Sequence, residues 1–477
     1  MVDFDKLFIG GQWVAPAANG TIEVRSPHDD TLVGRAAQAT DEDVDRAVAV
    51  ARSAFDEGTW PTLAPEARQA LVRRFNELHA ARATEIAALI TAENGSPAWF
   101  TQSVQASLQA QTDAYLRAAE TFGWERKLTS PDGARSLVRS EPVGVVAAVI
   151  PWNAPHQSAL VKMIPALLAG CTVILKASPE TALDGLLLGE IFAEAGFPEG
   201  VVSILPAGRE TSEYLVSHPG VDKIAFTGST TAGRRIASIA GQQLKRVSLE
   251  LGGKSASIVL DDADLDVVAQ VSPQLAFGNN GESCVAHTRL LVPRSRYEEV
   301  VAAVAAAAEQ VTVGDPADPA TFVGPLVTAV QKERVQAYIQ SGIDEGARLV
   351  VGGLGAPDGL DQGNYVRPTV FADVDNSMRV AQEEIFGPVL VIIPFDDEDD
   401  AVRIANDSPY GLGGGVWTTD PDRGLALARR IRTGTFLVNG APFGFDAPFG
   451  GFKASGIGRE FGASGLGHYV ELKNIAF

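Results

Sequence analysis

Residues 145–178 read VVAAVIPWNAPHQSALVKMIPALLAGCTVILKAS. A continuous β-branched run, Val145–Ile150, passes through a Pro-Trp-Asn turn into an apolar helical stretch near 157–169. A second run, Thr172–Lys176, follows it. Strands that are apolar at every position are buried on both faces, and helices between them mark a parallel sheet. The alternation continues outward. VVSIL (201–205), KIAFT (223–227), RVSLEL (246–251) and SIVL (257–260) read as strands, with helices near 181–196, 210–217 and 231–242. Ligands of such sheets bind beyond the carboxyl ends of the strands. That directs attention to Pro151-Trp152-Asn153, Lys176, Thr227-Gly228-Ser229 and Glu250.

Upstream, residues 1–40 read as short strands and turns. Thr40 opens a helix in a T-D-E-D capping pattern, and apolar residues follow from Val44 to Phe55 at helical spacing. One amphipathic helix is expected from Pro65 to about Ala92 and another from Pro97 to about Phe122. Residues 123–142 are strand-like, broken by Pro131-Asp132-Gly133. Downstream, 264–439 repeats the alternation less regularly, with helices near 264–277, 295–310, 328–345, 397–406 and 421–431. Strands are expected near 289–293, 365–372, 389–395, 413–418 and 435–439. Residues 440–467 read as a Gly- and Phe-rich loop, and the tail as a strand.

The 477 residues suffice for two to four domains. With 45% apolar and 21% charged residues the chain is neither disordered nor fibrous. A net charge of −20 argues against nucleic-acid or anionic-membrane binding and fits a cytoplasmic enzyme. The opening segment is acidic and lacks a signal-peptide core. The longest apolar stretch, Leu160–Leu175, is interrupted by Lys162, Pro165 and Gly170, so no membrane helix is expected. Two cysteines and six scattered histidines offer no disulfide framework and no metal site.

Four local signals carry chemistry. Strand 223–227 runs into Gly228-Ser229-Thr230-Thr231-Ala232-Gly233 and then a helix, where small residues and free N–H groups suit a phosphate. An ordinary glycine turn is the competing reading. Glu250, in ELGGK, sits at the end of an apolar strand, where desolvation suits a general base; a cap or a pair with Lys254 is the alternative. Cys284, in FGNNGESC, lies in a polar Gly-rich loop and is a candidate nucleophile, whereas Cys171 enters an apolar strand as core. The Asn153 amide is a candidate oxyanion donor or a turn former.

Together, PWN (151–153), LKAS (174–178 region), FTGS (226–229), ELGGK (250–254), GxxC at Cys284, EEIFGP (383–388) and PFGGFKxSGxGRE (448–460) resemble the aldehyde dehydrogenase superfamily in order and spacing. The resemblance implies an α/β fold in three parts. These are a Rossmann-like nucleotide-binding domain (1–121 and 143–251), a second α/β catalytic domain (252–454) and a small β oligomerisation extension (122–142 and 455–477). It implies that Cys284 attacks an aldehyde, that Asn153 and the Cys284 N–H hold the oxyanion, and that the thiohemiacetal is oxidised to a thioester. Glu250 then activates the hydrolytic water, and Lys162 relays protons. It further implies NAD binding. Lys176 would meet the adenosine ribose, Ser229 and Trp152 the pyrophosphate, Glu384 the nicotinamide ribose and Phe386 the ring. Ser178, Gly228, Gly233 and Leu251 complete the cofactor set. A homodimer or homotetramer is implied.

Departures from the family pattern sharpen these expectations. Where NAD-preferring members carry a Glu three residues after the ribose Lys, this chain has Pro179, then Glu180, which leaves NADP open. Glu282 replaces a common Gln two residues before Cys284 and is expected to point away from it. Ala154, Ser158 and Val161 stand where relatives have larger residues, and Phe443 and Phe445 restore an apolar wall, so a wide pocket for bulky or aromatic aldehydes is expected. The alternatives are transfer of the acyl group to CoA, a Cys–His hydrolase using His287 or His156, and a non-enzymatic binding role.

Overall fold

The computed structural model describes residues 2–477. An eight-stranded sheet is built around five parallel strands. Their spatial order is Arg246–Glu250, Lys223–Thr227, Val145–Val149, Thr172–Ala177, Val202–Pro206. Chain order therefore reverses beside Val145–Val149, and a crevice opens there at the carboxyl edge. The register brings the strand ends level: Val149 pairs with Lys176 and with Phe226, and Thr227 with Glu250. Antiparallel strands close both edges. Gln12–Val14 and Leu7–Ile9 lie beside Val202–Pro206, and Gly456–Ile457 pairs with Leu249–Glu250. The sheet is thus mixed, parallel only at its centre.

Burial explains why these runs are strands and helices. Every residue of Val145–Val149, Thr172–Ala177 and Val202–Pro206 is buried. The helix Pro155–Ala169 is buried on nearly all sides, as its mostly apolar text indicates, with His156, Ser158 and Lys162 buried among the apolar residues. It ends on Gly170, whose φ of +95° suits a glycine C-cap.

A seven-stranded sheet follows in the order Arg348–Val351, Thr369–Ala372, Val389–Phe395, Arg289–Pro293, Ala256–Val259, Gly414–Trp417, Leu437–Val438. All its pairs are parallel except the first. Two three-stranded sheets complete the molecule. One contains Val2–Phe4, Leu32–Ala37 and Thr21–Arg25. In the other, Val470–Ala476 and the hairpin Glu125–Thr129/Arg135–Pro142 pair antiparallel.

Several sequence expectations need correction. The SIVL run belongs to the second sheet, because Gly252-Gly253 carries the chain across before Ala256. The long helix from Pro65 is two, Pro65–Ala81 and Ala83–Asn94; Arg82 turns with its N–H on His79 O at 3.1 Å. The strand Arg348–Val351 was not expected, since it is a half-exposed edge with a register shift and no alternation. The late loop contains the helix Gly462–Gly467, and Gly456–Ile457, expected in the small extension, joins the eight-stranded sheet. Among the described residues, no helix is long and apolar enough to cross a membrane, and no cluster of His, Cys, Asp and Glu could hold a metal ion.

The helix Asp41–Asp56 starts on Thr40, as its sequence indicates. Asp43 is fully buried there. It accepts from Thr40 N and Oγ1, each at 2.9 Å, from Ala17 N at 3.0 Å and from Arg46. Burial pushes its carboxyl up, but these bonds outweigh burial and hold it below the usual carboxylate range. Asp43→Ala should cost about 2 kcal/mol in denaturant unfolding and Thr40→Ala about 1 kcal/mol. Because the Asp43 pKa is depressed by folding, its contribution is present at neutral pH and disappears on acidification; the gap between wild type and Asp43→Ala should close below about pH 4.

Candidate active site

The turn after Val145–Val149 is tied on both sides. Asn94, at the end of the helix Ala83–Asn94, donates to Trp152 O at 2.9 Å. Asn279 donates to Asn153 O at 3.0 Å, and the Asn153 amide donates to Glu282 O at 2.9 Å. The loop leading to Cys284 therefore leans on the Pro-Trp-Asn turn. Asn279 and Asn280 sit at φ of 53° and 60°, a region that asparagine tolerates better than most residues. Asn280 anchors the loop from outside, donating to Gly95 O at 3.0 Å and Pro325 O at 2.9 Å while accepting from Gly324 N at 2.7 Å. Gly281 permits close approach to the EEIFGP segment. A Cβ there would lie 2.2 Å from the Gly387 carbonyl carbon. Asn94, Asn279 and Asn280 had no assigned role from sequence. N-N-G marks a turn, but not what the turn touches.

One cavity of about 790 Å³ joins Cys284, Asn153, Glu250 and Glu384. Glu250 is buried, and neither carboxylate oxygen has a hydrogen-bond partner among the described residues. Burial, then the Glu460 charge, raises its pKa well above the usual value, and Lys162 and Arg459 oppose this only in part. Burial, with Glu384 and Glu250 nearby, pushes the Cys284 thiol up to about 12, so the free protein carries a neutral thiol there. Cys171 is also raised, by burial, to about 11, but it is sealed in the core with its Sγ 3.4 Å from Tyr469 O. Position, not acidity, separates the two cysteines. Glu282 turns away from Cys284: its Oε1 accepts from Val327 N at 3.2 Å.

Lys162 is fully buried behind this cavity. Its Nζ donates to Thr227 Oγ1 at 2.5 Å and Glu460 Oε1 at 2.6 Å. Glu460 lines the cavity. It closes the PFGGFKxSGxGRE motif and was given no role from sequence, because its partner lies 298 positions away.

Trp152, Gly228, Ser229, Leu251 and Phe386 also line the cavity. Ser229 caps the helix Thr230–Gln243, accepting from Ala232 N at 3.2 Å. A Cβ on Gly233 would meet Leu251 at 2.4 Å, and one on Gly252 would meet Glu384 at 2.4 Å. Glu384 accepts from Gly253 N at 2.9 Å, and burial lifts its carboxyl to about 6. The Trp152 and Phe386 rings stand edge to face at 5.5 Å. Phe386 is held by Gln331 through its carbonyl at 2.6 Å. Lys176, Ser178 and Gly233 are outside the cavity wall. Lys176 ends level with the crevice, and burial lowers it to about 8; Ser178 hydrogen-bonds Glu180.

Ala154, Ser158 and Val161 form one wall and Phe443 and Phe445 another. Phe449 and Phe461 complete a ring cluster, with Phe443–Phe461 at 5.6 Å, Phe445–Phe461 at 5.2 Å and Phe443–Phe449 at 5.8 Å. His156 faces away from the cavity, its Nδ1 3.0 Å from His79 Nε2 and its Nε2 3.0 Å from Asp184 O. His287 lines the cavity, and burial lowers its pKa to about 4.

A doubly wound sheet whose crevice opens onto a thiol, a buried carboxyl and a capped helix N-terminus defines a nucleotide-binding α/β enzyme. The sequence model of the aldehyde dehydrogenase family matches residues 13–475. Geranial dehydrogenase of Castellaniella defragrans is 46% identical over 475 residues, with 99% of each chain covered. The 3-succinoylsemialdehyde-pyridine dehydrogenase of a Pseudomonas species is 41% identical, with 100% of this chain and 99% of that one covered. A Mycobacterium tuberculosis aldehyde dehydrogenase solved with NAD+ superposes with a TM-score of 0.97 at 47% identity, covering 99% and 98% of the two chains. A Pseudomonas syringae aldehyde dehydrogenase mutant solved with NAD+ and octanal gives 0.95 at 40% identity, covering 100% and 98%. The chain belongs to the aldehyde dehydrogenase family.

The two thiols should behave differently toward iodoacetamide. In the folded protein, mass spectrometry should find Cys284 labelled and Cys171 untouched. Labelling should be slow at pH 7 and quicken about tenfold per pH unit toward pH 9, as the thiolate fraction grows. Labelling of Cys171 at a comparable rate would overturn the assignment.

Proposed function

We propose that this enzyme oxidises apolar aldehydes to carboxylic acids with NAD+, through a covalent adduct on Cys284. The observation that carries the reading is the single cavity shared by the Cys284 thiol, the Asn153 amide and an unpartnered, buried Glu250. Since the resting thiol is neutral, Cys284 needs a base before it can attack, and Glu250 with its raised pKa is suited to take that proton. The second Asn153 N–H and the Cys284 N–H would hold the oxyanion. When bound, NAD+ supplies the hydride acceptor that aldehyde oxidation requires. Cys284 then holds the acyl group as a thioester. Glu250, having handed the thiol proton on toward Glu460 and Lys162, deprotonates a water for its hydrolysis, and that second proton leaves by the same route.

The residues fit the cofactor. The Ser229-capped helix N-terminus and Trp152 suit the pyrophosphate, Lys176 the adenosine ribose and Glu384 the nicotinamide ribose, with Phe386, edge to face with Trp152, beside the ring. The glycines at 233 and 252 let Leu251 and Glu384, both on the cavity wall, pack close against the backbone. The Glu180 carboxylate, beside Ser178 and Lys176, would repel a 2′-phosphate and favours NAD+ over NADP+.

Small residues on the helix Pro155–Ala169 and the phenylalanine cluster support long, branched or aromatic aldehydes, at about 0.8 kcal/mol per methylene buried. Glu250 favours water over CoA as the acyl acceptor, and His156, bonded away from the cavity, is no base for a hydrolase. We further propose a cytoplasmic location and the three-part division read from the sequence, with Gly456–Ile457 counted with the nucleotide-binding sheet and not with the extension. The small sheet, with Leu472 at 65% and Phe477 at 60% exposure, would pair between subunits of a dimer or tetramer.

Glu250→Gln should lower kcat at least about a hundredfold and, because the attack itself needs the base, show no burst of reduced nicotinamide and no added mass on Cys284. Normal turnover would reject Glu250 as the base. An aldehyde panel followed by nicotinamide absorbance should give octanal and benzaldehyde a kcat/KM at least about tenfold above acetaldehyde. NAD+ should be preferred over NADP+, with Glu180→Gln narrowing the gap. Preference for acetaldehyde, or acyl-CoA formed faster than free acid when CoA is supplied, would contradict the proposal.

A further inference from the structure

Pro165 lies inside the helix Pro155–Ala169 and has no N–H for the Val161 carbonyl four residues back. The Tyr115 hydroxyl supplies the missing donor, at 3.2 Å. The same oxygen accepts the Phe461 N–H at 2.8 Å. Tyr115 is 1% exposed, so water does not compete for these bonds. Phe461 has φ 63° and ψ 155°, backbone that a residue with a β-carbon adopts only when its surroundings hold it there. One residue further along on each side, Lys162 Nζ meets Glu460 Oε1 at 2.6 Å. The helix and the C-terminal segment are therefore joined twice, by a backbone bridge through Tyr115 and by a side-chain ion pair.

We propose that Tyr115 is a positioning residue that holds Glu460 beside Glu250 by clamping the Phe461 backbone to the carbonyl Pro165 leaves free. This rests on the reading of Glu250 as the base. The charged groups acting on Glu250 are Glu460 and Arg459 from the C-terminal segment and Lys162 from the helix. Lys162 is carried by the helix itself, whereas Glu460 is held from two sides, by its own backbone pairing with Phe449 (Glu460 N to Phe449 O at 2.7 Å, Phe449 N to Glu460 O at 2.9 Å) and, one residue further on, by the clamp. Releasing Phe461 removes one of the two backbone holds on Glu460 and lets its carboxylate shift while Lys162 stays, which weakens the larger of the charge effects on Glu250.

The test is Tyr115→Phe, Pro165→Ala and the double variant, with thermal midpoint and NAD+ affinity measured on each. Pro165→Ala gives the Val161 carbonyl a helical donor but offers nothing to Phe461. Tyr115→Phe should lower the high-pH plateau of kcat by about twofold, as the base weakens, with NAD+ affinity unchanged. The rising limb of its kcat–pH profile should move toward acid by about half a unit or more. The double variant should keep that shift, and Pro165→Ala alone should resemble wild type. Should Tyr115→Phe fail to fold, the double variant carries the comparison. An unmoved pH profile, or its restoration by Pro165→Ala, would mean that the hydroxyl serves only the helix carbonyl and would overturn the proposal. Unimpaired hydrolysis in Glu250→Gln would instead show that the limb does not belong to Glu250, so the two failures are distinct.

Discussion

The site exists because two loops from different sheets exchange hydrogen bonds across the crevice. Asn153, after the first central strand, donates to the Glu282 carbonyl, and Asn279 returns a bond to the Asn153 carbonyl. Neither loop has a ladder to set its conformation, and Asn279 and Asn280 both take left-handed backbone. Each of these buried amides and carbonyls would be expensive to leave unpaired, so the loops constrain each other. Asn94 and Asn280 extend the arrangement to the helix end Glu93-Asn94-Gly95, which supports both loops at once. The distance between the candidate nucleophile and its oxyanion donor is thereby set by packing and not by a flexible linker.

Burial then decides the charge states inside that frame. Cys284, Glu250 and Glu384 share one cavity, and the low dielectric disfavours three negative charges so close together. All three pKa values are raised. Raising all three limits the negative charge the cavity holds, and for Glu250 it makes the carboxylate form a stronger base. Lys162 is the cation nearest to hand, but it is committed to Thr227 and Glu460. That commitment prevents a direct Lys162–Glu250 salt bridge, which would pin Glu250 as a permanent carboxylate and depress its basicity. The unpartnered Glu250 carboxyl costs stability, and in return it remains free to take a proton.

What was legible in the sequence follows from range. Strands 145–149, 172–177 and 223–227 announce themselves because a strand buried on both faces carries a run of apolar residues without alternation, broken here only near the ends by Thr172, Lys176, Lys223 and Thr227. The capping pattern at Thr40 and the turn residues of the site are equally local. The SIVL run was legible as a strand, but nothing within it says to which sheet it belongs. The edge strand Arg348–Val351 has no buried face to impose a pattern. Arg82 interrupts a helical periodicity that continues on both sides of it. The pairs Lys162–Glu460 and Tyr115–Phe461 join residues about three hundred positions or more apart. Each partner is an ordinary residue in its own segment, and only the antiparallel pairing of Gly456–Ile457 with Leu249–Glu250 brings the C-terminal motif to the acid.

The helix Pro155–Ala169 shows how many of these constraints one element can carry. Its cavity side presents Ser158 and Val161, its rear carries Lys162, and its first turn is fixed through His156 to His79 and Asp184. A surface helix with such a set of duties could slide or rotate against its neighbours. This one is enclosed on nearly every side, so rotation would drive apolar residues into contact with polar partners on all faces. Pro165 adds a defect to that enclosure, and the defect is answered by a side chain from a distant helix. A buried helix with a broken hydrogen bond is thus tied to its surroundings at the residue adjoining Lys162, and the shape of the cavity wall it forms and the placement of Glu460 are linked by the same fastening.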